Sequence, residues 1–356
     1  MVDRVAIDSI TPAEFAERYL RPSRPVLLTG VGARWRCMRE WVKEYADDGE
    51  PDVAALAARF GDSPVPVVTR GGELQVESRC TMTVSEYVSW WRGVLQRGRY
   101  SDSGARLDLK YLKDWHFAAQ HPEYGAYETP PHVADDWLND HWAALNDADG
   151  DGDHRFVYLG PAGTRTSLHA DVLFSYSWSI NVCGVKRWRL VPDAHRKLVA
   201  DAYTAPRASK LAHIPDALEA AITVEQRPGE LLFVPAAWYH EVENMTDCLS
   251  INHNWIHRHG ARWPLVRLSE CAAAIRASLP ADDADDAELV GSLLRRRVGY
   301  DLGELQQLYE GIAARRGGED AAVARTLAGE VAALLAEGDD GAGDAVEPVS
   351  KRKRGR

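Results

Sequence analysis

A histidine separated by one residue from a carboxylate is the smallest unit that can begin a metal site on a strand, because residues i and i+2 share a face. Twelve histidines in a chain of 356 residues with 53 acidic ones produce about two His-x-Asp/Glu triplets by chance. Two are present, so the triplet alone carries no information. His121-Pro122-Glu123 lies in a loop-like stretch broken by proline and makes a poor rigid ligand pair. His169-Ala170-Asp171 lies inside residues 167–174, which read as a strand, and this places His169 and Asp171 on one face with Ala170 on the other. A third ligand has to arrive from elsewhere. His240 is the natural candidate, because a strand, a proline-marked turn and the start of another strand, residues 228–239, fold the chain back towards the first pair. Two imidazoles and a carboxylate on one side of an ion, with other positions open, form the facial triad of non-haem Fe(II) oxygenases. Any one of these histidines taken alone reads as a hydrogen-bonded core residue.

Such an iron needs a reducing cosubstrate, and the cosubstrate needs anchors. Lys186, at the start of a strand entered through Gly184-Val185, suits the far carboxylate of a 2-oxoacid as a charge-assisted pair, and its ordinary reading is a surface lysine beside Arg187. Thr166 offers a hydroxyl three residues before His169. Asn252 and Asn254 flank His253 at period two, sharing a face in an otherwise apolar strand where unsatisfied amides are costly.

The elements that must hold these groups are legible in outline. Thr11-Pro12-Ala13-Glu14 and Thr83-Val84-Ser85-Glu86 are capping boxes that open helices. Residues 25–30 read as a strand, 52–60 as a helix ended by Gly61, 65–68 as an edge strand because of Pro66, 107–115 as a strand and 135–145 as a short helix. From 155 to 255 the texture changes to seven short runs rich in Val, Ile, Trp, Tyr and Phe: 155–160, 167–174, 177–182, 187–191, 231–235, 239–243 and 248–255. Strands of that length with turns between them suggest a β-barrel or double-sheet sandwich. Residues 264–336 return to helical composition, and 337–356 are Gly/Asp-rich, then basic, a pattern expected to be disordered.

Composition narrows the class. The chain is 45% hydrophobic and 27% charged, with no apolar stretch long enough to span a membrane. A net charge of -11 disfavours nucleic acid except weakly through the basic tail, 351–356. Five cysteines without a CxxC pair argue against a zinc finger or a disulfide framework. With no secretory signal, the expected location is cytoplasmic, or nuclear if the tail acts in import, and Asn244-Met245-Thr246 is a chance match to a glycosylation acceptor.

Residues 167–171, 176–188, 228–240 and 250–255 together resemble the Jumonji C (JmjC) family of 2-oxoglutarate- and Fe(II)-dependent dioxygenases. Tyr111-Leu112-Lys113-Asp114-Trp115-His116, taken with Ser250-Ile251-Asn252-His253-Asn254-Trp255, is most similar to the branch containing the lysyl hydroxylase of the translation termination (release) factor. The resemblance covers roughly residues 5–265. It implies a mainly β fold with flanking helices: a double-stranded β-helix (cupin or jelly-roll) core at 146–260, N-terminal α/β elements at 1–145, a C-terminal helical region at 261–336, and the tail. It also implies that His169, Asp171 and His240 bind Fe(II), and that Lys186, with Thr166 and Tyr111, binds the distal carboxylate of 2-oxoglutarate. Asn252 and Asn254 line the cosubstrate pocket, with O2 as the other cosubstrate, and Ser179 stands where some relatives carry Asn. The implied activity is lysyl hydroxylation of a release factor; apart from the resemblance, the C-terminal helices could pair into a homodimer interface or buttress the barrel.

Other signals are weaker. Residues 147–152 imitate the first half of an EF-hand, but position twelve is Tyr158 instead of a bidentate Glu, so they read as an acidic surface loop. No GxSxG or P-loop is present. Two competing functions share the same barrel: histone N-methyl-lysine demethylation, disfavoured by the absence of a Cys/His zinc cluster, and a catalytically silent interaction module, disfavoured by the intact triad.

Overall fold

The computed structural model describes residues 2–43, 48–71, 76–96, 109–145, 152–200 and 210–339. They fall into two compact units, Met1–Pro264 and Leu265–Arg356. Residues 107–108, the acidic loop at 146–151 and the tail from 340 lie outside the described residues.

The short β-branched and aromatic runs of the first unit form strands β1 (Asp3–Ala6), β2 (Val26–Thr29), β3 (Val42–Lys43), β4 (Glu50–Pro51), β5 (Pro64–Gly71), β6 (Val76–Thr83), β7 (Lys110–Trp115), β8 (Arg155–Gly160), β9 (Arg165–His169), β10 (Tyr176–Cys183), β11 (Lys186–Val191), β12 (Ile222–Gln226), β13 (Leu231–Val234), β14 (Tyr239–Asn244) and β15 (Cys248–Trp255). A nine-stranded sheet runs β1-β2-β13-β10-β15-β8-β7-β5-β6, and a four-stranded sheet runs β12-β11-β14-β9. Leu27, Leu232 and Val234 of the large sheet pack against Trp188, Leu190, Val224 and Val242 of the small one, closing the jelly roll over an apolar plug. The cupin-like architecture expected from the sequence is the one observed.

Register decides which side chains look into the barrel. β10 and β15 pair with Ser177 opposite Asn254, Ser179 opposite Asn252 and Asn181 opposite Ser250, alternating with Trp178 opposite His253 and Ile180 opposite Ile251. One face is therefore a polar stripe. The other, with Trp178, Ile180 and Ile251, joins a large aromatic-rich core that includes Phe15, Trp41, Phe60 and Trp115. Both capping boxes form: Thr11 with Glu14 opens the helix Pro12–Phe15, and the Glu86 amide donates to Thr83 Oγ1 at 3.2 Å while Thr83 donates to Glu86 Oε2 at 2.7 Å.

Two expectations need correction. The segment 65–68 is not an edge strand, because β5 lies between β6 and β7. Pro66 is tolerated there because pairing with β7 begins only at Val67, so the missing N–H breaks no bond on that side. The strand read at 167–174 stops at His169, and the chain then makes a tight turn, Val172–Phe174, with φ of 53° at Leu173 and 50° at Phe174.

In the second unit, Leu302–Arg315 and Gly318–Asp339 form a helical hairpin. The first of these helices buries Leu302, Leu305, Leu308, Tyr309 and Ile312, a stripe at helical spacing. An Asp301/Glu304 capping box starts it, and Gly299 in the left-handed region (φ 84°) ends the helix before.

Candidate metal centre

β9 ends where its last side chain, His169, points inward, and His240, the second residue of β14, lies directly opposite it. Asp171 follows in extended conformation, φ -66° and ψ 158°, immediately before the turn. That local geometry, and not strand alternation, brings the carboxylate beside the imidazoles. Asp171 Oδ1 lies 3.9 Å from His169 Nε2 and Oδ2 lies 3.9 Å from His240 Nε2. All three prospective ligand atoms fall within 4.8 Å of one another, the one such cluster among the described residues. Small side-chain rotations bring them to a single ion.

Each imidazole has its second nitrogen committed. His169 Nδ1 faces the Ser167 carbonyl at 2.7 Å and His240 Nδ1 faces the Trp238 carbonyl at 3.2 Å. A carbonyl can only accept, so the proton sits on Nδ1 and the Nε2 lone pair points at the cluster, the arrangement that orients metal-binding histidines. Enclosure by the barrel and the neighbouring His240 hold the His169 imidazole below its ordinary value and therefore neutral. Burial alone raises the Asp171 carboxyl, but the two imidazoles and hydrogen bonding from Ser177, with the Asn254 amide alongside, outweigh it and keep the group ionised. The centre thus offers two Nε2 lone pairs and one carboxylate. His240 is 3% exposed whereas His169 is 35% exposed, so the cluster opens to solvent on the His169 side.

Deeper in the barrel lies a lone ammonium. Lys186 is 1% exposed; its Nζ donates to the Tyr111 hydroxyl at 3.3 Å and sits 5.7 Å from the centre of the Tyr158 ring. No carboxylate pairs with it among the described residues. Room for Tyr111 exists because residue 160 is glycine, since a Cβ there would run into the Tyr111 ring and Thr164 Oγ1.

The remaining sequence candidates also reach this interior. Thr166 pairs with Val242, and a bulge between Val242 and His240 lets Thr166 and His169, three residues apart, share the inward face. Asn252 donates to Ser250 Oγ at 3.1 Å. Ser179 Oγ is buried without a hydrogen-bond partner, whereas the buried Asn254 amide lies alongside the Asp171 carboxylate. A buried orphan donor such as the Ser179 hydroxyl suits a polar ligand that completes it. His121 is elsewhere, its Nε2 bonded to Ser63 Oγ at 2.8 Å. Sequence reasoning missed Ser177, Tyr158, Asn244 and Lys113. Ser177 and Lys113 were accessible in principle, since each sits two residues along a strand from a residue already chosen, Ser179 and Tyr111 respectively; Tyr158 carried no such signal. Asn244, which donates to Thr164 Oγ1 at 2.8 Å, stands four residues after His240 on one strand and so was accessible in the same way.

Residues 12–260 match the family model for the cupin-like domain. The chain is 36% identical over 283 residues to "Arginine-specific demethylase JMJ20" of Arabidopsis thaliana, covering 74% of this chain and 58% of the relative. It is 37% identical over 257 residues to "2-oxoglutarate and iron-dependent oxygenase JMJD4" of Danio rerio, covering 69% and 58%. With the protein of the same name from Gallus gallus it shares 34% over 325 residues, covering 87% and 74%. The chain therefore spans 58% of the length of each of the first two relatives.

Proposed function

This chain belongs to the cupin-like family, in its JmjC branch, and on that premise we propose that it is an Fe(II)- and 2-oxoglutarate-dependent oxygenase that hydroxylates a protein side chain, a lysine of a translation release factor being the target suggested by sequence resemblance. The observation that carries the reading is the cluster of His169, Asp171 and His240, with both Nδ1 protons turned away onto backbone carbonyls.

The residues present fit both the metal and the cosubstrate. His169, Asp171 and His240 would hold the ion. Lys186, with Tyr111 and Thr166, would hold the far carboxylate of 2-oxoglutarate, and Ser179, Asn252 and Asn254 would line its path. Bound there, iron and the cosubstrate supply O2 activation coupled to conversion of 2-oxoglutarate to succinate and CO2. The protein's part is to bind, orient and exclude water. The apolar plug of Leu27, Trp188, Leu190 and Val242 seals one part of the interior, and the more exposed side of His169 leaves an approach for a polypeptide. No side chain needs to act as general base, since the hydrogen removed from substrate carbon is taken by cofactor chemistry.

A second reading is favoured by one observation, the name of the Arabidopsis relative. Hydroxylation of an N-methyl group followed by loss of formaldehyde would make the same centre a demethylase of methylated arginine or lysine. The discriminating experiment is succinate formation from 2-oxoglutarate with Fe(II), ascorbate and O2, with and without recombinant release factor or methylated histone peptides, followed by product mass. Factor-stimulated turnover with gain of one oxygen on lysine establishes the first reading. Loss of a methylene with formaldehyde release establishes the second. No binding of metal or 2-oxoglutarate refutes both and leaves a silent barrel.

A further inference from the structure

Lys113 has no role in the reading above, yet the fold directs it into the same interior. It stands two residues after Tyr111 on β7, on the face from which the Tyr111 hydroxyl meets Lys186. Between Leu112 and Trp115 the β7–β8 register shifts, and Asp114 adopts φ 65°. An aspartate in the left-handed region marks a bulge, a device that re-aims neighbouring side chains next to functional sites. The bulge is fastened from two sides, with Tyr158 OH donating to Asp114 Oδ1 at 2.8 Å and Arg79 Nη1 donating to Asp114 Oδ2 at 3.1 Å. Tyr158 is the same ring that lies beside the Lys186 ammonium.

These contacts consume the one carboxylate next to Lys113 in sequence. Lys113 itself is half-buried and makes no hydrogen bond or ion pair among the described residues. Its charge reaches Lys186, disfavouring the protonated form of that side chain. Two lysines thus belong to one interior, and neither makes an ion pair among the described residues. Such an arrangement costs free energy in the cosubstrate-free protein and is relieved by a dianion bound near the two lysines.

Resting on the oxygenase reading, we propose that Lys113 is a second cosubstrate anchor, a cation placed by the β7 bulge to bind a carboxylate of the 2-oxo diacid alongside Lys186.

The test is calorimetric binding of 2-oxoglutarate and of 2-oxobutyrate, which lacks the distal carboxylate, to Mn(II)-loaded protein without O2, in wild type, Lys113→Met, Lys113→Arg and Tyr158→Phe. Loss of a charge-assisted contact should raise the 2-oxoglutarate Kd of Lys113→Met about 10- to 100-fold, with Lys113→Arg recovering most of the affinity. Tyr158→Phe, which frees one fastening of the bulge, should weaken binding several-fold without touching the ammonium. Equal losses for both acids place Lys113 at the metal-proximal carboxylate, and loss for 2-oxoglutarate alone places it at the distal one. Unchanged Kd for both acids in a folded Lys113→Met protein overturns the proposal. Wild-type protein that binds neither acid would instead refute the oxygenase reading, and the two failures cannot be confused.

Discussion

Replacing Lys186 with methionine should move apo stability and cosubstrate affinity in opposite directions. Burial pushes the Lys186 ammonium from the usual 10.5 down to about 8, a trend that Cys248 partly offsets and Lys113 reinforces. A gap of about 2.5 pH units at 1.36 kcal/mol each means that holding this charge inside costs the fold roughly 3 kcal/mol. Below pH 8 the lysine is protonated in both folded and unfolded chains, so the cost is fully present. Between pH 8 and 10.5 the folded chain loses the proton first, and stability is regained as pH rises. Methionine removes the charge and also the bond to Tyr111, worth about 1 kcal/mol. Tyr111 keeps Asn244 as a second partner. The net expectation at pH 7 is a gain of roughly 2 kcal/mol, or ~4 °C at about 2 °C per kcal/mol, falling as pH rises from 8 and turning into a loss of about 1 kcal/mol above pH 10.5, where only the missing Tyr111 bond remains. Over the same substitution 2-oxoglutarate should lose a charge-assisted contact of about 1.5–3 kcal/mol, roughly 10- to 150-fold in Kd. Scanning calorimetry of the apo protein across pH, with titration calorimetry of the Mn(II)-loaded protein, measures both. A variant that is less stable than wild type at pH 7 would show that the ammonium already has an internal partner, and the anchor assignment would fall with it.

Asp171→Ala should abolish metal retention and succinate formation while leaving the thermal midpoint within a few degrees, because the carboxylate faces a cluster and not the core; metal analysis after desalting checks this, and a variant with full metal content refutes the ligand set. Ser179→Ala removes a buried hydroxyl that has no partner, so the apo midpoint should hold or rise while 2-oxoglutarate affinity falls at least threefold. Unchanged affinity would remove Ser179 from the cosubstrate path. Gly184→Ala places a Cβ against the Asp247 carbonyl and Cys248 Sγ at a residue with φ of 80°, and should cost about 2–4 kcal/mol in denaturant melts. Wild-type stability there would mean that the turn into β11 is looser than its geometry indicates.

Much of this site was legible before any fold was known, because its chemistry is written in residue types at short range. His169 and Asp171 are two apart. Asn252 and Asn254 flank His253 at strand period, and a lysine follows a Gly-Val turn. Those spacings suffice to nominate a metal face, a cation anchor and a polar stripe, and the two Thr-x-x-Glu boxes suffice to start two helices. Distance along the chain hides the rest. The strand nomination for 167–174 had the right outcome for a wrong reason, since periodicity cannot foresee that β9 ends at His169 and that an extended residue before a tight turn carries the carboxylate. Proline at 66 signalled an edge, yet the staggered start of β7 makes the position harmless inside the sheet. Sequence by itself determined the inventory: two imidazoles, an acid, a lysine and alternating strands that must close on one another. Only tertiary structure decided that His169 and His240 stand opposite one another across two strands, that Thr166 and His169 share a face across a bulge, and that Tyr158 fastens Asp114 in the β7 bulge. Each of those depends on register between strands tens of residues apart, a quantity set by packing across the whole barrel and not encoded in any local spacing.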